Sequence, residues 1–75
     1  MRGYPSAHVI DSLRNRYPVG TRVELVAMHD PFASKPTPGD QGTVICVDDI
    51  GTVHVSWDCG SSLGVVYGED HIKTV

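Results

Sequence analysis

The stretch QGTVICVDDIGTVHVSWDCGSSLGVVYG, residues 41–68, decides the fold. Val53, Val55 and Trp57 alternate with His54, Ser56 and Asp58, the period-2 pattern of a half-buried strand. Leu63, Val65 and Tyr67 repeat that period. Asp49-Ile50-Gly51 and Asp58-Cys59-Gly60 carry turn residues where the chain must reverse. Gly51 and Gly60 reach positive φ at no steric cost, so both turns are mechanically sound. The stretch is predicted to form three antiparallel strands.

Register follows from which faces must meet, because a slip of one residue turns a whole face outward. A three-residue second turn, with Gly60 or Ser61 at the bulge position, is predicted to set Trp57 opposite Leu63. It then sets Val55 opposite Val65 and Val53 opposite Tyr67. The first turn pairs Val47 with Val53, Cys46 with His54 and Ile45 with Val55. In that register Val44 points outward unless a bulge intervenes. Trp57, alternating with valines, is read as core.

Seventy-five residues make one domain near the lower limit for an unaided core. A chain of this length buries roughly 60% of its unfolded surface, so modest stability is expected. An apolar fraction of 40% is too high for disorder. No apolar run approaches the ~20 residues that span a bilayer. The opening MRGYPSAHVIDSL has no apolar core of signal-peptide length. The expected location is the cytoplasm. The hairpin register places Cys46 and Cys59 roughly 16 Å apart, beyond the ~7 Å a disulfide spans, so both thiols are expected to be free.

Charge is unevenly spread. Residues 1–35 hold Arg2, Arg14, Arg16, Arg22 and Lys35 against Asp11, Glu24 and Asp30. Residues 36–75 hold Lys73 alone against Asp40, Asp48, Asp49, Asp58, Glu69 and Asp70. The halves carry +2 and −5, for the net charge of −3. A barrel that reads nucleic acid shows a basic stripe, and the strand meander lacks one.

In chain order, Ser6 caps a predicted helix from Ala7 to Arg16, with Val9, Ile10, Leu13 and Tyr17 near helical spacing. Pro18 forbids its continuation. Residues 1–18 form this N-terminal helical extension, expected to plug or cover the barrel formed by residues 19–75. Thr21 to Met28 read as the first strand, with Val23, Leu25 and Ala27 inward. HDPFASKPTPGD, residues 29–40, is a long loop for so small a domain, and such loops are often functional. Gly68 to His71 make a turn into a closing strand, Ile72 to Val75. The prediction is mainly β: a small SH3-like five-stranded antiparallel barrel with a short N-terminal helix.

YPVGTRVELVAMHDPF (17–32), PGDQGTV (38–44) and VDDIGTVHVSWDCGSSLGVVYGED (47–70) closely resemble a family of short proteins known only as a domain of unknown function. Its members are common in bacteriophages and other mobile elements, mostly of Gram-positive bacteria. The resemblance implies an SH3-like barrel and supplies no catalytic residues. It also leads one to expect Asn rather than Cys59 before the turn glycine. The wider pattern, Gly42-x-Val44 followed by Val53-x-Val55-x-Trp57-Asp58-x-Gly60, is similar to KOW-type and mind-bomb-type barrels.

The candidate chemistry is thin. The meander should gather Asp48, Asp49, Glu69 and Asp70 at one end, an oxygen set of the kind hard cations use. Turns favour Asp in any case, so docking to a basic partner ranks ahead of a metal. Cys46 and His54 facing each other are two soft ligands where structural zinc needs four. As a nucleophile pair they lack an oxyanion hole and an orienting group. Phe32, an apolar residue in a surface loop, either caps the barrel or anchors a partner. Tyr67 is either core or the lining of a groove beside that loop, by analogy with SH3-like peptide sites.

The expected function is that of a non-enzymatic protein-binding module without cofactor, an accessory of a phage or mobile element, monomeric or weakly dimeric. Its expected contact residues are Phe32, Asp48, Asp49, Tyr67, Glu69 and Asp70. One alternative is an inhibitor of a host defence complex of the anti-CRISPR type, with the acidic face in a nucleic-acid channel. Another is nucleic-acid binding through Arg2, Arg14, Arg16 and Arg22.

Overall fold

The structure is a computed structural model and describes residues 6–28 and 36–75. The helix α1 spans Ala7–Arg16. Ser6 Oγ accepts the Val9 amide at its start, 3.4 Å away, and the Tyr17 amide closes on the Leu13 carbonyl at its end. Pro18 has no amide to carry the pattern further. Ile10, Leu13 and Tyr17, on one helical face, are buried. Burying each such side chain stabilises the fold by about 1.5–3 kcal/mol, and this seats α1 against the sheet, as expected of a covering helix.

Five strands follow: β1 Arg22–Ala27, β2 Gln41–Val47, β3 Thr52–Trp57, β4 Val65–Val66 and β5 His71–Thr74. They form one antiparallel sheet in the order β4-β3-β2-β1-β5. The edges β4 and β5 touch where the turn between them joins them but share no ladder, so the sheet is not closed. One core runs through Val23, Leu25, Val44, Val47, Val53, Val55, Trp57 and Val65, together with Leu13 and Tyr17 of α1.

The first hairpin pairs Val47 with Val53 and Cys46 with His54, as expected. The pairing of Ile45 with Val55 is not observed. The register shifts between Val44 and Cys46, and Val44 faces Val55 instead. The shift leaves Ile45 half-exposed, so Val44 and Val47, three apart, both reach the core.

The second hairpin is displaced by two residues from the sequence expectation. Val53 pairs with Val65 rather than Tyr67, and Thr52 with Val66. Gly60, at φ +98°, closes the turn so tightly that the Trp57 amide reaches the Ser61 carbonyl at 2.9 Å. A two-residue shift keeps the faces, so Val65 remains inward, but Leu63 leaves the ladder. Its carbonyl accepts the indole N–H of buried Trp57 at 2.8 Å instead. Among the described residues no non-glycine has positive φ. Cys59 therefore needs no left-handed geometry, and the missing Asn costs the turn nothing.

In β1 the alternation holds at Val23 and Leu25, and then the register against β5 shifts before Ala27. Val26 and Ala27 are both exposed, which corrects the inward placement of Ala27. Both cysteines are free and exposed. No helix among the described residues is long and apolar enough to cross a membrane.

Candidate docking cleft

Where α1 ends beside the edges of the sheet, a cleft of about 300 Å³ opens. Its floor is Leu13 and Tyr17 of α1, Val53 and Val65 of the second hairpin, and Ile72 of β5. Its rim carries Arg16, Tyr67, Asp70 and His71. A second hollow, of about 190 Å³, continues along the helix to His8, Val9 and Ser12, sharing Leu13, Arg16 and Tyr67 with the first.

Tyr67 is positioned by the turn that follows β4. The Glu69 and Asp70 amides both return to the Val66 carbonyl, and the Asp70 carboxylate accepts the Val66 amide at 3.0 Å. This closed turn projects Tyr67 over the cleft, 51% exposed. Arg16 lies on the helical side. Its guanidinium sits 5.3 Å from the Tyr17 ring centre and donates to the Tyr17 hydroxyl at 3.3 Å. A cation and a phenol thus stand on the rim above an apolar floor.

Two of the acidic residues expected to meet a partner, Asp48 and Asp49, are bonded within the fold. Thr52 lies beside Val66 in the ladder, Asp48 binds the Thr52 amide and Asp70 binds the Val66 amide. The β2–β3 turn and the β4–β5 turn therefore do meet at one end. Asp48 is occupied by its own turn, accepting from the Ile50 and Thr52 amides and bonding to His54 Nε2 at 2.8 Å. The His54 bond first, and the two amides after it, hold the Asp48 carboxyl below the usual carboxylate range against partial desolvation. Asp49, 97% exposed, is paired with Arg14 at 2.9 Å. Arg14 also donates through Nε and Nη2 to the Val47 carbonyl, tying α1 to the end of β2. Of the expected contact residues, Tyr67 and Asp70 reach the cleft, whereas Asp48 and Asp49 serve the fold and Glu69 sits exposed in the turn. Phe32 lies outside the described residues.

A second arginine is committed elsewhere. Arg22 forks onto both oxygens of Asp58, at 3.0 and 2.5 Å, and donates to Thr43 Oγ1 at 2.9 Å. It thereby joins β1, β2 and the turn after β3. The fork holds the Asp58 carboxyl below its ordinary range and raises the Arg22 guanidinium above its own. Among the described residues no group of three His, Cys, Asp or Glu side chains is placed to hold a metal ion.

Sequence reasoning names Arg16 only as one of the arginines for nucleic acid, and it misses His71 and the helical flank of the cleft. A signal was present: His8, Ser12 and Arg16 recur every four residues beside the apolar row Val9, Leu13, Tyr17, and such rows lie on one side of a helix. No curated protein and no solved structure matches the chain. Residues 6–75, which take in the helix, the sheet and every residue of the cleft, match one family, and the chain belongs to it: Domain of unknown function (DUF4314).

Proposed function

We propose that the chain is a non-enzymatic protein-binding module of SH3-like architecture that docks a partner segment in the cleft between α1 and the β4–β5 turn. The observation that carries this reading is Tyr67, a half-exposed aromatic held by a closed turn over an apolar floor and facing an arginine. Aromatic and arginine side chains are the usual energetic anchors of protein interfaces. A volume of about 300 Å³ is at the small end for a ligand pocket and suits a few side chains of a peptide. The strand order β5-β1-β2-β3-β4 and the meander from β1 to β4 support the SH3-like assignment. The place of the module as an accessory of a phage or mobile element rests on the sequence resemblance.

Nucleic-acid binding through the arginines has less support, because Arg14 and Arg22 are engaged with Asp49 and Asp58. The test is a photo-crosslinking side chain placed at Tyr67, with one at exposed Asp11 as control, in cells that carry the gene. A discrete protein adduct from position 67 alone is expected. Adducts equal from both positions, or an adduct removed by nuclease, would refute protein docking in this cleft.

A further inference from the structure

We infer that the cleft receives its partner as an added β-strand: an extended segment alternating apolar and acidic residues pairs with the open edge of β5. This rests on reading the cleft as a docking site and specifies the chemistry of the occupant.

The peptide groups decide the matter. Among the described residues β5 ends the strand order and pairs on one side only, with β1. The Val75 amide donates to the Arg22 carbonyl at 3.1 Å, and Lys73 stands opposite Glu24 in the same register. In an antiparallel ladder, residues two apart face the same way. Lys73 and Val75 therefore turn their peptide groups to β1, and Ile72 and Thr74 turn theirs away from it. Leu25 gives an independent check. It lies opposite Ile72, yet its N–H and C=O go to Asp40 and Gly39, on its other side.

Those outward peptide groups run beside the cleft, since Ile72 lines its floor and Thr74 lines the adjoining hollow under Arg16 and Tyr17. A strand laid on this edge would direct alternate side chains to the inner face of the sheet, onto Leu13, Tyr17 and Val65. The intervening side chains would stand on the outer face beside Lys73 and His71. Apolar residues suit the first set and carboxylates the second. Lys73 Nζ is 3.7 Å from Glu24 Oε2, a loose pairing that leaves room for a second carboxylate.

A second copy of this chain is the disfavoured occupant. In the twofold register that uses the peptide groups of both Ile72 and Thr74, Lys73 would face its own symmetry mate. Like charges directly opposite are unfavourable, and an edge lysine is how sheets resist pairing with themselves. The same lysine attracts an acidic strand.

The variant Thr74→Pro tests the proposal directly. It deletes an amide that points away from β1 and leaves the Lys73 and Val75 bonds to β1 intact, the one setting in which an edge strand tolerates proline. A displayed library of random peptides is selected on the full chain, and the enriched peptides are synthesised. The expected peptides alternate apolar and acidic residues, and Thr74→Pro weakens their binding about tenfold or more. Peptides that lose binding on Tyr67→Ala but ignore Thr74→Pro would keep the docking cleft and overturn strand addition. An empty selection, or peptides indifferent to both variants, would overturn the cleft itself. A dimer that sediments as such and is dissolved by Thr74→Pro would make a second copy the occupant and overturn the acidic partner. If Thr74→Pro fails to fold, N-methylation of alternate peptide amides on the wild-type chain decides. One alternating set should abolish binding while the other leaves it, and equal effects from both sets would refute pairing.

Discussion

Trp57→Ala is expected to unfold the domain. Trp57 is 2% exposed, with its ring in the core and its N–H on the Leu63 carbonyl. Truncating a buried aromatic to alanine costs about 3–5 kcal/mol, and the Leu63 carbonyl loses its donor as well. At about 0.05–0.15 kcal/mol per residue, a 75-residue chain holds about 4–11 kcal/mol in all, and a small domain sits at the low end. The substitution thus removes most or all of the margin. Because Trp57 is the only tryptophan, its emission reports wild-type unfolding in urea without interference. Circular dichroism follows the variant. With a urea slope of about 1 kcal/mol per molar for so small a domain, the midpoint should fall by about 3–5 M. Trp57→Phe keeps a ring, loses the donor and should lie between. A cooperative Trp57→Ala transition within about 1 M of wild type would place the ring outside the load of the core and refute the reasoning.

Two further predictions concern the frame around the cleft. Gly42→Ala should cost about 1–3 kcal/mol by overpacking, read as a lower urea midpoint. An added Cβ would fall 2.6 Å from Val55 Cγ1 and 2.8 Å from the Ser56 carbonyl, and the latter, being backbone, cannot swing aside; a neutral result would mean that β3 yields. Stability should fall in acid through Asp48 and Asp58, whose folded carboxyls titrate below their unfolded value of about 3.9. Between the two values the unfolded chain binds more protons, so their contribution is full above about pH 4 and is lost as pH drops through the folded values. The double variant Asp48→Asn, Asp58→Asn should flatten the melting temperature against pH below about 4, and an unchanged slope would exclude these two groups as its source.

Where a feature depended on local alternation or on a turn glycine, the sequence was legible. Cys46 against His54 followed from the Asp49-Ile50-Gly51 turn alone, and the helix from Ser6, Pro18 and one apolar row. Where it depended on distant pieces meeting, the sequence was silent. The bulge at Ile45 exists because Val44 and Val47 both have a core to reach, and nothing in QGTVICV says which residue yields. Leu63 has the right period for a strand, but the indole of Trp57 takes its carbonyl, and that bond is visible only once the turn is closed. The sequence leaves Tyr67 open between core and groove because its placement depends on a register two residues away from the one expected. The cleft had the least sequence signal of all, since its walls come from residues 8–17 and 53–72, and only the fold brings them together.

The uneven charge of the chain acquires a different meaning in three dimensions. Read linearly, a basic first half precedes an acidic second half, and the acids invite a basic partner. In the fold the two halves answer each other first. Arg14 takes Asp49, Arg22 takes Asp58, and Lys73 and Glu24 approach across β1 and β5. Exposed pairs of this kind are worth about 0–1 kcal/mol each, so their main effect is to fix where charge is left over. At the cleft what stands out is Arg16 beside Tyr17, and Lys73 with His71 along the open edge, while the Asp70 carboxylate is turned onto the Val66 amide. Arg16 and Lys73 there stand against Asp70 and Glu24, so the proposed docking site is close to balanced where the chain as a whole carries −3. An acidic segment would be held by the site yet repelled at long range by the molecule around it. Such an arrangement favours slow encounter and discrimination at contact, where paired peptide groups and a matched alternation of side chains decide which segment stays.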